Sequence, residues 1–362
     1  MAHLDLDLTI PDGVLQYLSK TPFASSSATR LSGGTANFVY RIYLNVPYEG
    51  RSTLVLKFGR SFLEIEGQRV PFDIARQRFE AEALKAVSSW ISEDSLVTVP
   101  AVHLFDDENH VIIMDDCGES SVTLKALIRE RNIPTHVAER IGRALGGFLA
   151  LVHSRGAKQS QEFLGLFASN EIARNISAWA TYGRARETLD GSAELAMLAD
   201  PPLDVVEEKL DKVDTVAKEV MEKLKHTEDK FVMGDFWPGN VLVTLDGEET
   251  KSIQVVDWEL AKTGIPELDV GQFLAEMYLI CRFDLEARMA AEETARAFLG
   301  AYRGLHAVNQ QAVTIHCGVH LIAWTPRVPW GGKETTKQVV MEGAEMMCRE
   351  DGDVLEYFVK AL

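Results

Sequence analysis

The period of the apolar positions changes along the chain, and the predicted elements change with it. After Pro11-Asp12-Gly13, the spacing of Val14, Leu15 and Leu18 predicts a short helix, followed by a serine-rich loop at Ser25-Ser26-Ser27. Over residues 31–58 the pattern turns to strands, Phe38-Val39-Tyr40-Arg41-Ile42-Tyr43-Leu44 and Thr53-Leu54-Val55-Leu56-Lys57-Phe58, with turn residues at 45–50 between them. A helix is predicted over 73–92, then short strands near 101–105 and 111–114. Beyond Cys117-Gly118 the spacing becomes helical. Ile141, Leu145, Phe148, Leu149 and Val152 line one face of 138–154, and 205–225 reads as a charged helix with a core stripe. A strand-rich island at 231–257, turning at Asp246-Gly247, interrupts before helices resume from Asp269.

This alternation predicts an α+β chain with a strand-rich domain at 1–115 and a mostly helical one at 116–362. A length of 362 residues fits two or three compact units, and 46% hydrophobic with 25% charged residues excludes a disordered or collagen-like chain. The net charge of −17 argues against a nucleic-acid backbone or an anionic membrane as partner. Cys117, Cys281, Cys317 and Cys348 lie far apart without a CxxC pair, which speaks against a disulfide framework or a cysteine zinc site. Acidic residues stand near Met1 where a secretory signal carries basic ones, and the apolar run at 270–281 is short and holds Glu276. The expected location is cytoplasmic.

Four elements carry candidate chemistry. Leu31-Ser32-Gly33-Gly34-Thr35-Ala36-Asn37 is a glycine pair entering a strand; such a turn is often merely structural, but it can also lay N–H groups against phosphates. Lys57 sits inside an apolar strand, either as an edge residue reaching water or as a rigidly held phosphate ligand. On the following helix Glu80, Leu84, Val87 and Ile91 share one face, so Glu80 points inward and Glu82 nearly opposite; an inward glutamate wants a cation, and Lys57 is the candidate. Val232-Met233-Gly234-Asp235-Phe236-Trp237-Pro238-Gly239-Asn240-Val241-Leu242-Val243 has the D-x-x-x-x-N spacing of a kinase catalytic loop. A carboxylate there accepts the attacking hydroxyl's proton, and an amide oxygen holds a metal; an Asx-capped turn is the plainer alternative. Ile253-Gln254-Val255-Val256-Asp257-Trp258-Glu259 reads as a strand whose alternation brings Asp257 and Glu259 to one side. That pair suits a hard cation such as Mg2+, or else a solvated strand end.

In this order the four elements resemble the aminoglycoside phosphotransferase and choline kinase superfamily over about residues 31–330. The most specific parts are GDFWPGNVLV, VVDWE and Leu268-Asp269-Val270-Gly271. Within it the chain looks most similar to methylthioribose kinase-like enzymes and fungal 4-hydroxytryptamine kinases, through RLSGG with Asn37, DWEL, YLIxRF, Trp324-Thr325 and Trp330-Gly331. The resemblance implies a bilobal protein-kinase-like fold, with a small β-rich N-lobe and a larger mostly helical C-lobe. It implies an ATP- and Mg2+-dependent kinase acting on a small-molecule hydroxyl. It assigns Gly33 and Gly34 to covering the nucleotide phosphates, Lys57 to contacting them while paired with Glu80, Asn37 to the nucleotide site, and Met114, Asp115, Asp116 and Cys117 to a hinge holding adenine by its backbone. Asp235 is the implied catalytic base; Asn240, Asp257 and Glu259 are the implied metal ligands. Asp269 is expected to brace the catalytic loop; His316, His320, Trp324 and Trp330 fall where the family places its acceptor pocket, core packing being the plainer reading of aromatic residues at such spacing, and Trp237 is a further substrate candidate.

Departures narrow the reading. Met233 replaces the usual histidine, which loses a structural hydrogen bond, and no Arg-Arg pair occurs for methylthioribose. A hydroxytryptamine-like amine is the acceptor the resemblance suggests, beside choline-, sugar- or aminoglycoside-type acceptors. A catalytically inactive nucleotide-binding regulator is disfavoured because Lys57, Glu80, Asp235, Asn240 and Asp257 are all present. A protein kinase is disfavoured because no APE signature follows Asp257. His153, ending an apolar helix, reads as a satisfied core histidine.

Overall fold

In the computed structural model, residues 6–31, 37–65, 68–131, 133–350 and 352–360 are described. The glycine pair Gly33-Gly34 lies outside them. The chain divides into two compact units, Met1–Ile91 with Val99–Glu119, and Ser92–Thr98 with Ser120–Leu362. Among the described residues no helix is long and apolar enough to cross a membrane.

The first unit opens with α1 (Pro11–Leu18). It continues through strands β1 (Ser25–Arg30), β2 (Asn37–Tyr48), β3 (Arg51–Gly59), β4 (Phe62–Ile65) and β5 (Gln68–Pro71) to helix α2 (Arg76–Trp90). After β6 (Val97–Thr98), which belongs to the second unit, come β7 (Val102–Asp106) and β8 (Val111–Asp115). Among the described residues β1, β2, β3, β8 and β7 form one sheet in that order, every pair antiparallel. Alternation sorts its two faces. Tyr40, Ile42, Leu54, Leu56, Val111 and Ile113 pack with Val14 and Leu18 of α1. Lys57, one residue on, therefore points to the other face.

Two expectations are corrected here. The serine-rich segment at 25–27 is not a loop but the start of β1, with Ser27 opposite Tyr43 and Ala28 opposite Ile42. Its side chains are mostly exposed, so pairing with β2 rather than an apolar pattern makes it a strand. The turn expected over 45–50 shrinks to Glu49-Gly50, at φ 47° and 82°, because β2 runs on through an irregular register to Tyr48 opposite Arg51. That Pro47 is tolerated in β2 fits the register shift between Tyr43 and Tyr48.

The second unit is helical around a small sheet. Strand β9 (Val122–Thr123) leads into α3 (Leu124–Arg131), α4 (Thr135–Gly156), α5 (Gln161–Ala168), α6 (Glu171–Ser177), a π-helical turn and α7 (Ala185–Leu189). The charged stretch forms α8 (Glu207–His226), with Leu210, Val213, Ala217, Val220 and Leu224 buried along one stripe. Then come β10 (Phe231–Val232), β11 (Val241–Asp246), β12 (Glu249–Val255) and β13 (Lys262–Thr263). Helices α9 (Glu267–Phe283), α10 (Arg288–Leu305), α11 (Gln310–Trp324), α12 (Lys333–Cys348) and α13 (Leu355–Lys360) complete the chain. Strands β6, β12, β11 and β9 form one sheet in that order, and β10 pairs with β13. The hairpin β11–β12 turns at Gly247, as the Asp246-Gly247 signal predicts.

Helices α4 and α10 approach so closely that glycine is required on α4. A Cβ at Gly142 would run into the carbonyl oxygen of Thr294, and one at Gly146 into that of Phe298, whereas at Gly147 only a Leu305 methyl lies near, at 3.9 Å. Gly146→Ala is therefore expected to cost about 1–3 kcal/mol in thermal unfolding, and Gly147→Ala almost nothing or a slight gain. Equal effects of the two substitutions would contradict the contact.

Candidate active site

In the first unit the structure brings Lys57 and Glu80 together. Lys57 lies on β3, flanked by Val39 of β2 and Ile112 of β8, so it is central rather than an edge residue. Its Nζ stands 2.6 Å from Glu80 Oε2, with the two side chains 6% and 1% exposed. Glu82 faces outward and meets Lys85 instead. A buried pair of this kind is held by both members: removing one alone strands the other's charge, at a cost of about 3–5 kcal/mol.

The segment expected to hold adenine has its acidic side chains engaged elsewhere. Asp115 is held by Arg51 at 2.6 Å and His103 at 2.7 Å. Asp116 takes a bidentate grip from Arg41 at 2.6 and 2.9 Å and accepts from the Gly118 N–H. Met114 is buried within β8, and burial pushes the Cys117 thiol up to about 12, so it is no nucleophile. Asn37 is buried, and its side-chain oxygen accepts from Arg76 at 3.2 Å.

The second unit builds the D-x-x-x-x-N loop from three supports. First, β10 pairs with β13, Val232 opposite Lys262, which anchors the loop's entry. Next, Gly234 turns at φ +81°; a Cβ there would collide with the Lys262 ammonium and the Leu260 carbonyl, so only glycine fits. The N–H groups of Met233 and Gly234 that this turn frees both donate to Asp269 of α9, at 2.8 Å each. Finally Phe236 inserts between Phe273 and Phe298, fully buried, while its neighbour Asp235 stays partly open to solvent.

Asp235 is oriented by two amides. Its Oδ1 accepts from Gln272 at 2.7 Å and its Oδ2 from the Asn240 side chain at 2.9 Å. Each oxygen retains a lone pair able to take a proton. Burial raises its pKa to about 6, against the Gln272 hydrogen bond and reinforced by the charge of Asp257. Because the Asn240 NH2 is committed to Asp235, its carbonyl oxygen is the end available to a cation.

Asn240 and Asp257 emerge at one end of the β11–β12 hairpin. Val241 pairs with Val255, and the Val256 N–H donates to the backbone carbonyl of Asn240 at 2.9 Å. The strand itself ends at Val255, which corrects the expected alternation through Asp257 and Glu259. What brings these acids together is a turn: Asp257 adopts φ +65°, and carboxylate oxygens of Asp257 and Glu259 lie within 4.8 Å of each other. Trp258 between them is the anchor, fully buried against Phe231 and Phe148, its Nε1 donating to Val255 O. An amide oxygen and two carboxylates form a hard-donor set that fits Mg2+.

The tryptophans separate. Trp237 and Trp330 both flank the Lys125 ammonium, at 5.2 and 3.8 Å from the ring centroids, whereas Trp324 packs by His320 and Arg184. His316 is buried against the Tyr182 hydroxyl, and burial holds its pKa well below the ordinary value. His153 is a core histidine, bonded to Tyr302 at 2.8 Å and Asp269 at 3.1 Å. Gln272, Glu276, Lys125 and Lys262 are site residues that motif reading passes over. Lys262 is almost fully buried beside the Gly234 turn, and burial lowers its pKa to about 8 despite the charges of Asp269 and Asp235. The signal for two of the others was present: Asp269, Gln272 and Glu276 form a polar stripe at helical spacing on an apolar helix.

The family model described as "Phosphotransferase enzyme family" matches residues 27–309. The 4-hydroxytryptamine kinase of Psilocybe cyanescens is 30% identical, over 99% of each chain, and that of Psilocybe cubensis is 30% identical over 93% of this chain and 92% of its own. Among solved structures, amicoumacin kinase hAmiN in complex with AMP-PNP, Ca2+ and Ami has a TM-score of 0.52 at 12% identity, covering 93% of this chain and 92% of that one. This last likeness supports the fold: a β-rich first part and a helical second part.

The raised pKa of Asp235 has a sign that stability measurements can read. A carboxyl at about 6 in the folded chain, against 3.8 ordinarily, contributes stability that is complete below pH 3.8 and lost as pH rises through 6. Without divalent cations, Asp235→Asn is therefore expected to be more stable than the parent at pH 7 by about 1–3 kcal/mol, and the difference should shrink towards pH 5. A pH-independent difference in thermal unfolding would exclude the buried charge as its cause.

Proposed function

The chain belongs to the phosphotransferase enzyme family, and from that premise we propose that it is a small-molecule kinase. In this reading it moves the γ-phosphoryl group of ATP to a metabolite hydroxyl, with a hydroxytryptamine-like amine as the acceptor. The observation that carries the reading is the Asp235 carboxylate, oriented by Gln272 and Asn240 on a loop whose backbone is tied to Asp269. The acceptor class rests on the 30% identity, along almost the whole chain, to two 4-hydroxytryptamine kinases.

The chemistry follows from the residues. Asp235 aligns the acceptor hydroxyl and takes its proton as the oxygen bonds to the γ-phosphorus. The bond from that phosphorus to the β-phosphate oxygen breaks, and ADP leaves. Asn240, Asp257 and Glu259 are the proposed holders of Mg2+. When bound, the ion supplies positive charge that offsets the charge developing on the phosphates. Lys57, held by Glu80, is the proposed phosphate contact in the first unit, and the backbone of residues 114–117 the proposed adenine contact. Gly33 and Gly34 are, by the resemblance, the proposed cover of the nucleotide phosphates.

Purified protein with Mg-ATP and a hydroxytryptamine-led panel of hydroxyl metabolites should release ADP in an acceptor-dependent way. Asp235→Ala should lower turnover at least about 10²–10⁴-fold while ATP affinity persists, and Asp257→Ala should silence release as well. No acceptor-dependent release from any hydroxylated amine, or loss of ATP binding in folded Asp235→Ala, would overturn the reading.

A further inference from the structure

The Lys125 ammonium sits in a cage that the phosphotransfer chemistry does not require. Lys125, at the start of α3, holds its Nζ 3.8 Å above the Trp330 ring and 5.2 Å from the Trp237 ring, and donates to Glu276 Oε2 at 3.0 Å. The other Glu276 oxygen meets His320 Nε2 at 3.1 Å, which fixes the carboxylate. Trp330 is itself buried and stacked on Phe283, with the Arg129 guanidinium 5.7 Å from its ring. Two indole faces and a buried carboxylate around one nitrogen are the recognition chemistry of an alkylammonium ion. The present occupant is an alkylammonium, carried on a flexible stem whose side chain keeps 21% of its surface in solvent.

The cage is also indexed to the catalytic base. Trp237 belongs to the catalytic loop, two residues after Asp235. Glu276 lies one helical turn beyond Gln272, which holds Asp235 Oδ1. One turn rises about 5.4 Å along the helix axis, so the amide that orients the base and the acid of the cage project from one face of α9 at adjacent levels.

We propose that the Trp237–Trp330–Glu276 cage is the subsite for the acceptor's ammonium group, and that Lys125 is a tethered occupant which the acceptor displaces. This rests on the proposed kinase reading and names the part of the substrate read by these residues. Lys125 then acts as an internal competitor. An amine must evict it, whereas a neutral ligand gains nothing from doing so, and the cage selects for a positive charge at a set distance from the reacting hydroxyl. Apparent affinity falls by the fraction of molecules in which Lys125 occupies the cage.

The test is calorimetric binding of tryptamine and of its uncharged counterpart 3-ethylindole, together with acceptor KM values for hydroxylated amines. Lys125→Met removes the competitor and should tighten tryptamine about tenfold, leaving 3-ethylindole within twofold. Lys125→Arg, which puts a cation back, should restore the weaker affinity. Glu276→Gln should weaken tryptamine at least about tenfold with little change for 3-ethylindole. Unchanged or weakened tryptamine binding in folded Lys125→Met would overturn the proposal, making Lys125 a permanent partner of Glu276. So would equal responses of the two ligands. Binding needs no phosphoryl transfer, so the two readings fail separately. Tryptamine tightening without any amine phosphorylated keeps the cage and rejects the kinase reading. Amine phosphorylation whose KM ignores Lys125 and Glu276 rejects the cage alone.

Discussion

Everything in the second unit's site hangs on one buried carboxylate. The turn at Gly234 points two successive N–H groups, of Met233 and Gly234, inward, where no strand partner exists for either. Leaving them unpaired would cost about 1–3 kcal/mol each. Asp269 takes both and also accepts from His153, whose other nitrogen bonds to Tyr302. A loop, α4, α9 and α10 are thereby tied at one point, and the buried charge is stabilised by directed hydrogen bonds instead of solvent. The short distance between α4 and α10, which Gly142 and Gly146 permit, keeps His153 and Tyr302 within reach of each other.

The same helix that supplies Asp269 then sets the side-chain chemistry. Gln272 lies three residues on and orients Asp235; Glu276 lies four further and meets Lys125 and His320. Between them α9 is apolar and buried, so its three polar groups are held at constant spacing by a rigid backbone. Desolvation acts on all of them with different results. It raises Asp235, which has only neutral amide donors, while Glu276 ends below its ordinary range because His320 and Lys125 outweigh its burial.

Much of this was legible in the chain because local rules and the fold agree. Helical spacing separates Glu80 from Glu82, and the structure has the first against Lys57 and the second against Lys85. The core stripe of α8 follows the same rule. Legibility failed where tertiary pairing overrides pattern. Ser25–Ser27 lack strand propensity yet extend because β2 offers a partner, and Asp257 and Glu259 approach through a left-handed residue, a geometry that alternation does not describe. Lys125 and Lys262 were missed for another reason. A lone lysine beside apolar residues, Leu124 and Ala126 for one and Ala261 for the other, reads as a stem reaching water, and only the folded chain reveals the two indoles around one and the carboxylates of Asp269 and Asp235 near the other.

The polar stripe on α9 also limits how such a protein can change. Positions on a helix face recur only at steps of three or four residues, so the distance from the base-orienting amide to the next usable acid comes in increments of about 5 Å. Drift by single substitutions cannot stretch that gap smoothly. A descendant serving a longer molecule would have to move its acid by a whole turn or recruit one from another helix. The helix behaves as a ruler with coarse divisions, and divergence among relatives should proceed by jumps in substrate length.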